Sequence, residues 1–270
     1  MTTAYSGDGI TFPDNSVQAT APRVGMVNRI INGDMRVSQR YGVASVTPTD
    51  NQYTVDRWMA ALGQTSKYTV QQNAGSVTPP TGFVNYLGVT SLSAYSIGAT
   101  DYFNIQHRIE GFNFADLEWG TVNAAPITIS FWVRSSLTGT FGASLRNSAS
   151  NRSYPFTYLI SNANTWEQKS VTISGDISGT WFTTNAVGLT LAFGLGIGST
   201  YSNTAGAWVA GNYSGATGAT SVVGTNGATF YLTGVQLEKG STATDFEYVD
   251  YSRQLQMCQR YYEVNSAGIY

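Results

Sequence analysis

Hydrophobic residues recur at every second position in many short segments of this chain. In residues 127–133, Ile127, Ile129, Phe131 and Val133 alternate with more polar residues. This alternation is typical of a strand with one buried face and one exposed face. The same pattern marks residues 53–59, 67–71, 83–90, 102–109, 156–160, 169–173, 187–195 and 229–237.

The number and spacing of these segments predict an all-β fold. Turns containing Gly, Asn or Pro separate them, and strands buried on both faces would instead form unbroken apolar runs. A chain of many half-buried strands buries its apolar faces best as two packed sheets. We therefore predict a jelly-roll β-sandwich over residues 25–250.

The two ends of the chain have different patterns. Leu255, Cys258 and Tyr262 have helical spacing and Ser252 is a candidate N-cap, so we expect a short helix within residues 251–270, followed by the start of a C-terminal strand or tail at 268–270. Residues 1–24 predict a short extended or hairpin segment with a turn at residues 13–15. An isolated hairpin is marginally stable in water, which suggests an attachment or trimerisation segment.

The amino-acid composition excludes several classes of protein. Charged residues form 11% of the chain, against about 25% in a typical globular domain, and the net charge is −2. With no basic run and 13% aromatic residues, neither a nucleic-acid partner nor general disorder is expected. No apolar stretch reaches the ~20 residues that cross a bilayer, and no signal peptide is apparent, which predicts synthesis in the cytoplasm without membrane insertion.

Catalytic residues are scarce, so we predict that the protein is not an enzyme. The one histidine, His107, falls on the apolar face of its strand, and the one cysteine, Cys258, falls on the apolar side of the helix. A Ser-His-Asp triad would need His107, but no Gly-x-Ser-x-Gly elbow accompanies it, and a zinc site needs more Cys and His ligands than these two. Asp116 and Glu118 lie close in sequence, but we interpret them as a surface turn rather than a glycosidase acid pair.

Residues 201–226 are rich in Gly, Ser, Thr and Asn, and predict a long loop between two strands. Loops of this length are uncommon in compact domains and are usually functional or mobile. Aromatic rings and amides together suit a sugar, whose ring has an apolar face and a polar rim. Packing of the same residues within the domain or a trimer is the alternative. The candidate glycan-binding residues are Tyr201, Asn203, Trp208, Asn212 and Tyr213.

Several motifs along the chain carry a resemblance to a known family. They are NRIINGDM from Asn28, VDRW from Val55, QHRIEGF from Gln106, TISFWVRSSLTGTF from Thr128, TWEQKSVTI from Thr165, GAWVAGNY from Gly206, FYLTGVQLEKGSTATDFEY from Phe230 and LQMCQRYY from Leu255. Together they resemble a sandwich module of bacteriophage tail-fibre and virion-associated proteins, similar to carbohydrate-binding jelly rolls. The N-terminal GDGITFPDNSVQATA also resembles segments of phage fibre proteins, which tend to be trimeric.

The resemblance implies a structural protein of the phage virion. It would be a homotrimer on a tail fibre or related appendage, contacting other virion proteins through residues 1–24. The sandwich would be displayed for attachment to the host surface, with a glycan as the expected receptor. The alternatives are a capsid-surface decoration or head-fibre protein, and a baseplate or tail component without a ligand of its own.

Carbohydrate-binding jelly rolls of this kind often carry a structural calcium ion near an Asn-Gly-Asp turn. Asn32 and Asp34 supply that turn here, but Thr233 and Gly234 stand where the resemblance would place an acid. A plain Asx-type turn is the favoured interpretation, and calcium is the alternative. No other cofactor is expected.

Overall fold

The computed structural model describes residues 4–6, 9–11, 17–18 and 26–264. The N-terminal residues among these form three short antiparallel strands, β1 (Ala4–Ser6), β2 (Gly9–Thr11) and β3 (Val17–Gln18), in one small sheet. The turn predicted at residues 13–15 and the strand-like tail at 268–270 lie outside the described residues.

Residues 26–264 are dominated by strands, with one α-helix, α1 (Tyr251–Gln259), and four short 3-10 turns at Ala74–Ser76, Gly111–Asn113, Ala115–Leu117 and Ser199–Tyr201. The strands are β4 (Gln52–Tyr53), β5 (Trp58–Leu62), β6 (Tyr68–Gln72), β7 (Leu87–Ser91), β8 (Tyr102–Glu110), β9 (Ile127–Ser135), β10 (Gly139–Arg146), β11 (Arg152–Ile160), β12 (Glu167–Ile173), β13 (Val187–Ile197), β14 (Ser202–Asn203), β15 (Val209–Ala210), β16 (Gly215–Ala216) and β17 (Thr229–Lys239).

Two antiparallel sheets face each other across one core. The larger sheet has seven strands in the order β15-β11-β10-β13-β8-β5-β4, and the smaller has five in the order β12-β9-β17-β7-β6. Phe131 of the smaller sheet packs against Tyr158 and Phe193 of the larger sheet, with ring centroids 5.0 and 5.1 Å apart. The chain passes repeatedly from one sheet to the other, so the predicted jelly-roll β-sandwich is confirmed.

Two local predictions were wrong in detail. Residues 53–59 were expected to form one strand, but the chain turns between β4 and β5, which pair antiparallel. Arg57 occupies this turn with a φ of 71°, a conformation that no periodicity in the sequence signals. Residues 201–226 were expected to be one loop, and they contain β14, β15 and β16, of which β14 and β16 form a parallel pair.

The C-terminal helix forms as predicted, but its cap is a different residue. The carboxylate of Asp250, not the Ser252 hydroxyl, accepts the backbone N–H of Arg253 at 3.0 Å. Beyond the helix, Arg260 and Tyr261 both bond the Glu110 carboxylate at 2.6 Å, which ties this end of the chain to the end of β8. Within the described residues, no helix is long and apolar enough to cross a membrane.

Candidate functional site

A cleft of about 350 Å³ opens on the outer face of the seven-stranded sheet. Because side chains alternate along a strand, Phe103 and Ile105 of β8 face the core, whereas Asn104 and Gln106 face outwards into the cleft. Pockets for small ligands typically measure ~300–1,000 Å³ and contain a few convergent polar groups. The cleft fits that description in size, and its lining is mainly polar.

Two arginines lie in one row across the floor of the cleft. Arg108 of β8 pairs with Thr190 of β13, and Thr190 pairs with Arg146 of β10. Neighbouring strands are ~4.8 Å apart, so the two arginine backbones are separated by about 10 Å. The amide oxygen of Asn51 accepts from Arg108 at 3.2 Å, and that of Asn212 accepts from Arg146 at 2.6 Å. Neutral amides therefore orient both guanidinium groups.

The positive charge of these arginines is not neutralised by a neighbouring acid. Within residues 26–264, neither Arg108 nor Arg146 forms an ion pair with a carboxylate, and the buried Nε of Arg146 has no hydrogen-bond partner. Burial, and then the charge of Arg108, lower the pKa of Arg146 to about 10, so Arg146 is cationic at neutral pH. Among the described residues that line the cleft, Asp50 is the one acid.

Asn104 is the least satisfied polar side chain of the cleft. It is fully buried, yet neither its amide oxygen nor its amide nitrogen has a hydrogen-bond partner within the described residues. Buried side-chain amides in proteins are normally bonded, and a buried group without a partner costs about 1–3 kcal/mol. Asn104 therefore contributes an unpaired donor and an unpaired acceptor to the residues that line the cleft.

One wall of the cleft is aromatic. The rings of Tyr102 and Tyr201 meet edge to face with centroids 5.5 Å apart, and both are half-buried. Burial, and then the negative charge of Asp50, raise the pKa of Tyr102, which keeps its hydroxyl protonated. That hydroxyl lies 3.4 Å from a carboxylate oxygen of Asp50. The wall thus offers an apolar ring surface beside polar groups.

The structure brings two of the five sequence-predicted glycan residues into this cleft, namely Tyr201 and Asn212. Asn203 and Tyr213 do not line it. The amide oxygen of Asn203 accepts the backbone N–H of Thr204 at 2.7 Å. The ring of Tyr213 covers Gly211, where a Cβ would lie 2.6 Å from it.

Trp208 lies in an aromatic cluster instead of the cleft. Its ring contacts Trp119, Tyr154 and Trp181, with centroid distances of 5.0, 5.1 and 5.4 Å. Its indole N–H donates to the backbone oxygen of Ser174 at 2.8 Å. In this arrangement Trp208 fixes its loop to the body of the domain.

The two calcium candidates already have protein partners. The Asn32 amide nitrogen donates to the backbone oxygens of Val37 and Asp56 at 2.8 and 2.9 Å, and its oxygen accepts from the N–H of Val37 at 3.0 Å. Asp34 forms an ion pair with Arg36. No group of three or more His, Cys, Asp or Glu side chains is placed to hold a metal ion in the described part of the chain.

His107 and Cys258 lie outside the cleft. His107 is buried with its Nε2 3.0 Å from the backbone oxygen of Ile31, and desolvation holds the pKa of its ring well below the usual value. Burial raises the pKa of the Cys258 thiol to about 12. A neutral imidazole and a protonated thiol, both away from the cleft, suit a structural role.

Four main residues of the cleft were not among the predicted site residues, namely Asn104, Gln106, Arg108 and Arg146. A signal for three of them exists, because the outward positions of β8 carry two amides and a cation opposite a continuous apolar face. For Arg146 there is no comparable signal. Its place beside Arg108 depends on the order of strands in the sheet.

The fold and the cleft define an all-β sandwich of jelly-roll type with a polar groove on one sheet. No family model matches this chain, and no curated protein matches it. Solved structures that are similar to it include the enzymatically active domain of tailspike protein 4 of bacteriophage CBA120, at 12% identity and a TM-score of 0.42. That match covers 79% of this chain but 22% of the tailspike chain, so this chain spans about a fifth of its length.

Two binding modules are also similar in structure. A family 11 carbohydrate-binding module of Clostridium thermocellum, in complex with a β-1,3-1,4-mixed-linked tetrasaccharide, has 14% identity and a TM-score of 0.33, covering 77% of this chain and 99% of the module. A CBM4 structure has 13% identity and a TM-score of 0.39, and the match covers 68% of this chain and 95% of the CBM4 chain. At these identities the similarity concerns the fold alone.

Proposed function

We propose that this chain is a glycan-binding β-sandwich that binds an oligosaccharide in the cleft of its seven-stranded sheet. The observation that carries the proposal is the fully buried, unpartnered amide of Asn104 on the floor of that cleft. A sugar hydroxyl can donate to the amide oxygen and accept from the amide nitrogen at the same time. Gln106 lies two residues along the same strand face and extends this polar surface.

The aromatic wall complements the amides in the way that a pyranose requires. The C–H face of a sugar ring packs on an aromatic surface, and its hydroxyl rim needs hydrogen-bonding groups around that surface. Tyr102 and Tyr201 supply the rings, and Asn104, Gln106 and Asn212 supply the amides. Both kinds of contact are therefore available within one cleft.

We further propose that the protein binds its glycan without cleaving it. Hydrolysis of a glycosidic bond needs two carboxyl groups ~5–10 Å apart across the sugar. Asp50, the acid that lines the cleft, accepts from the N–H of Leu62 at 2.9 Å and from the Asn51 amide at 2.7 Å. Asp116 pairs with Arg29 at 2.8 Å outside the cleft. These contacts support binding rather than acid–base catalysis.

For the biological setting, we propose a homotrimeric virion protein of a phage tail fibre or related appendage, in which residues 1–24 contact other virion proteins. Support comes from the motifs quoted above, such as QHRIEGF and FYLTGVQLEKGSTATDFEY. Three copies would raise avidity for repeated surface glycans. Light scattering should give three times the mass of one chain, and a stable monomer at micromolar concentration would contradict the trimer.

A glycan array tests the binding proposal directly. We expect the wild-type protein to retain a defined set of oligosaccharides, and Tyr201→Ala to weaken that binding at least tenfold in titration calorimetry. Tyr251→Ala removes an exposed tyrosine of the C-terminal helix and is the matched control, with unchanged affinity expected. Failure to retain any glycan, or equal binding by Tyr201→Ala, would contradict the proposal.

A further inference from the structure

We propose that the cleft selects acidic glycans, and that an anionic substituent of the sugar binds between Arg108 and Arg146. This inference rests on the proposed function and specifies its substrate class. A carboxylate, a sulfate and a phosphate share the required chemistry, since each presents several oxygen acceptors with negative charge to a guanidinium group.

The two arginines are placed so that one anion can contact both. Arg108 and Arg146 lie on either side of Thr190, on three neighbouring strands and on the same face of the sheet. Their backbones are about 10 Å apart, and an arginine side chain is long enough for two such groups to approach one anion from opposite sides. The amide oxygens of Asn51 and Asn212 each accept one N–H from an arginine and leave other guanidinium N–H groups available.

The charges in the cleft also favour an anionic ligand. Arg146 is partly buried with an inaccessible Nε, and a cation in such a place is normally paired with an acid, but Arg146 has the cation Arg108 beside it instead. Asp50, the acid that lines the cleft, forms no ion pair with either arginine within the described residues. This chain has a net charge of −2, so a cleft lined by two arginines and the single acid Asp50 is a local concentration of positive charge. An anion bound there would offset the repulsion between the two guanidinium groups and replace the hydration that they lose in the cleft.

The lining of the cleft favours a sugar with one charged group over a nucleic acid. A nucleic acid needs an extended basic track along its phosphates and aromatic platforms for successive bases. Within the described cleft residues there are two cations, and the Tyr102 and Tyr201 rings meet edge to face instead of forming a series of parallel plates. Together with the amides of Asn104 and Gln106, this arrangement favours a compact polar ring carrying one charged group.

The experiment compares acidic glycans with their neutral counterparts on the full-length protein. The probes are oligogalacturonides and their methyl esters, chondroitin sulfate oligosaccharides and their desulfated forms, and phosphomannans and their dephosphorylated forms. We expect at least one acidic member to bind at least tenfold more tightly than its partner, and its affinity to fall at least threefold between 50 and 300 mM NaCl. The three pairs distinguish carboxylate, sulfate and phosphate.

Variants assign that preference to the arginines. Arg146→Gln and Arg108→Gln should each reduce the ratio of affinities between the acidic and the neutral member at least fivefold. Arg253→Gln removes an exposed arginine of α1 and is the matched control, for which we expect the wild-type preference. Circular dichroism and thermal melting confirm that each variant is folded, and two independent arginine variants protect the test against one that fails to fold.

The outcomes separate this inference from the proposed function. If neutral and acidic members bind equally and Tyr201→Ala abolishes both, the protein binds glycans and the acidic selectivity is refuted. If no glycan binds, both proposals are refuted. Tighter binding of a single-stranded dT20 oligonucleotide than of every acidic glycan would also refute the inference, because it would assign the arginines to a different class of macromolecule.

Discussion

The two faces of the seven-stranded sheet are formed by the same strands, yet they carry different kinds of side chain, since the inner face is aromatic and aliphatic and the cleft on the outer face is lined by amides and arginines. On the inner face, the buried Trp58 packs among other rings and its indole N–H donates to the backbone oxygen of Asn32 at 2.9 Å. On the outer face, the equally buried Asn104 has no partner for either end of its amide within the described residues. The Nδ1 of His107 and the hydroxyl of Tyr158 also lack partners on the inner face, but there they are surrounded by core side chains, whereas the Asn104 amide lies among the polar residues of the cleft.

That difference shows how one strand can carry two functions. Along β8, the inward residues Phe103 and Ile105 bury apolar area, which favours folding by about 1.5–3 kcal/mol for each large side chain. The outward residues Asn104, Gln106 and Arg108 reduce this gain, since polar groups and charges lose hydration in the cleft. We infer that the apolar face supplies the stability that lets the cleft hold incompletely paired groups.

The largest effect should follow from opening a cavity on the inner face. Phe193 is fully buried and lies 5.1 Å from Phe131 between ring centroids, so we expect Phe193→Ala to lower the free energy of unfolding by about 3–5 kcal/mol. Thr190→Ala, on the outward side of the same strand, should cost less than about 1 kcal/mol. Urea unfolding measures both, and similar values for the two variants would remove the distinction between the faces.

A smaller loss of stability should follow from Trp208→Ala. This indole packs against Trp119 and Trp181 but is only partly buried, so we expect a cost of about 2 kcal/mol, below the ~3–5 kcal/mol of a fully buried aromatic residue. Below the melting temperature, glycan affinity should stay within twofold of wild type. If the variant instead melts normally and loses binding, the glycan site extends to this loop cluster.

The smallest effect, and the most diagnostic one, should be a gain in stability. Asn104→Leu removes a buried amide without a partner and keeps a side chain of similar size, so we expect the free energy of unfolding to rise by about 1 kcal/mol. The same change should weaken glycan binding at least tenfold. Calorimetric melting and titration measure the two quantities on one sample, and a loss of both stability and binding would indicate that Asn104 has a structural role.

The sequence by itself determined most of the longer strands and most of their inward residues, although it did not predict β10. The alternation in residues 187–195 placed Leu191 and Phe193 in the core, and the lone His107 was correctly assigned to an apolar face. These predictions succeed because side-chain direction in a strand follows from local backbone geometry, with a period of two residues. The helix was found for a similar reason, although its cap at Asp250 was two residues earlier than expected.

Only the tertiary structure decided which outward residues meet. Arg108 and Arg146 are brought into one row because β13 lies between β8 and β10, and no periodicity encodes that neighbour relation. The loop residues were separated in the same way, since Tyr201 turns to the cleft and Trp208 to the aromatic cluster. A local pattern gives the direction of a side chain, but its neighbours are fixed by how distant segments pair and pack.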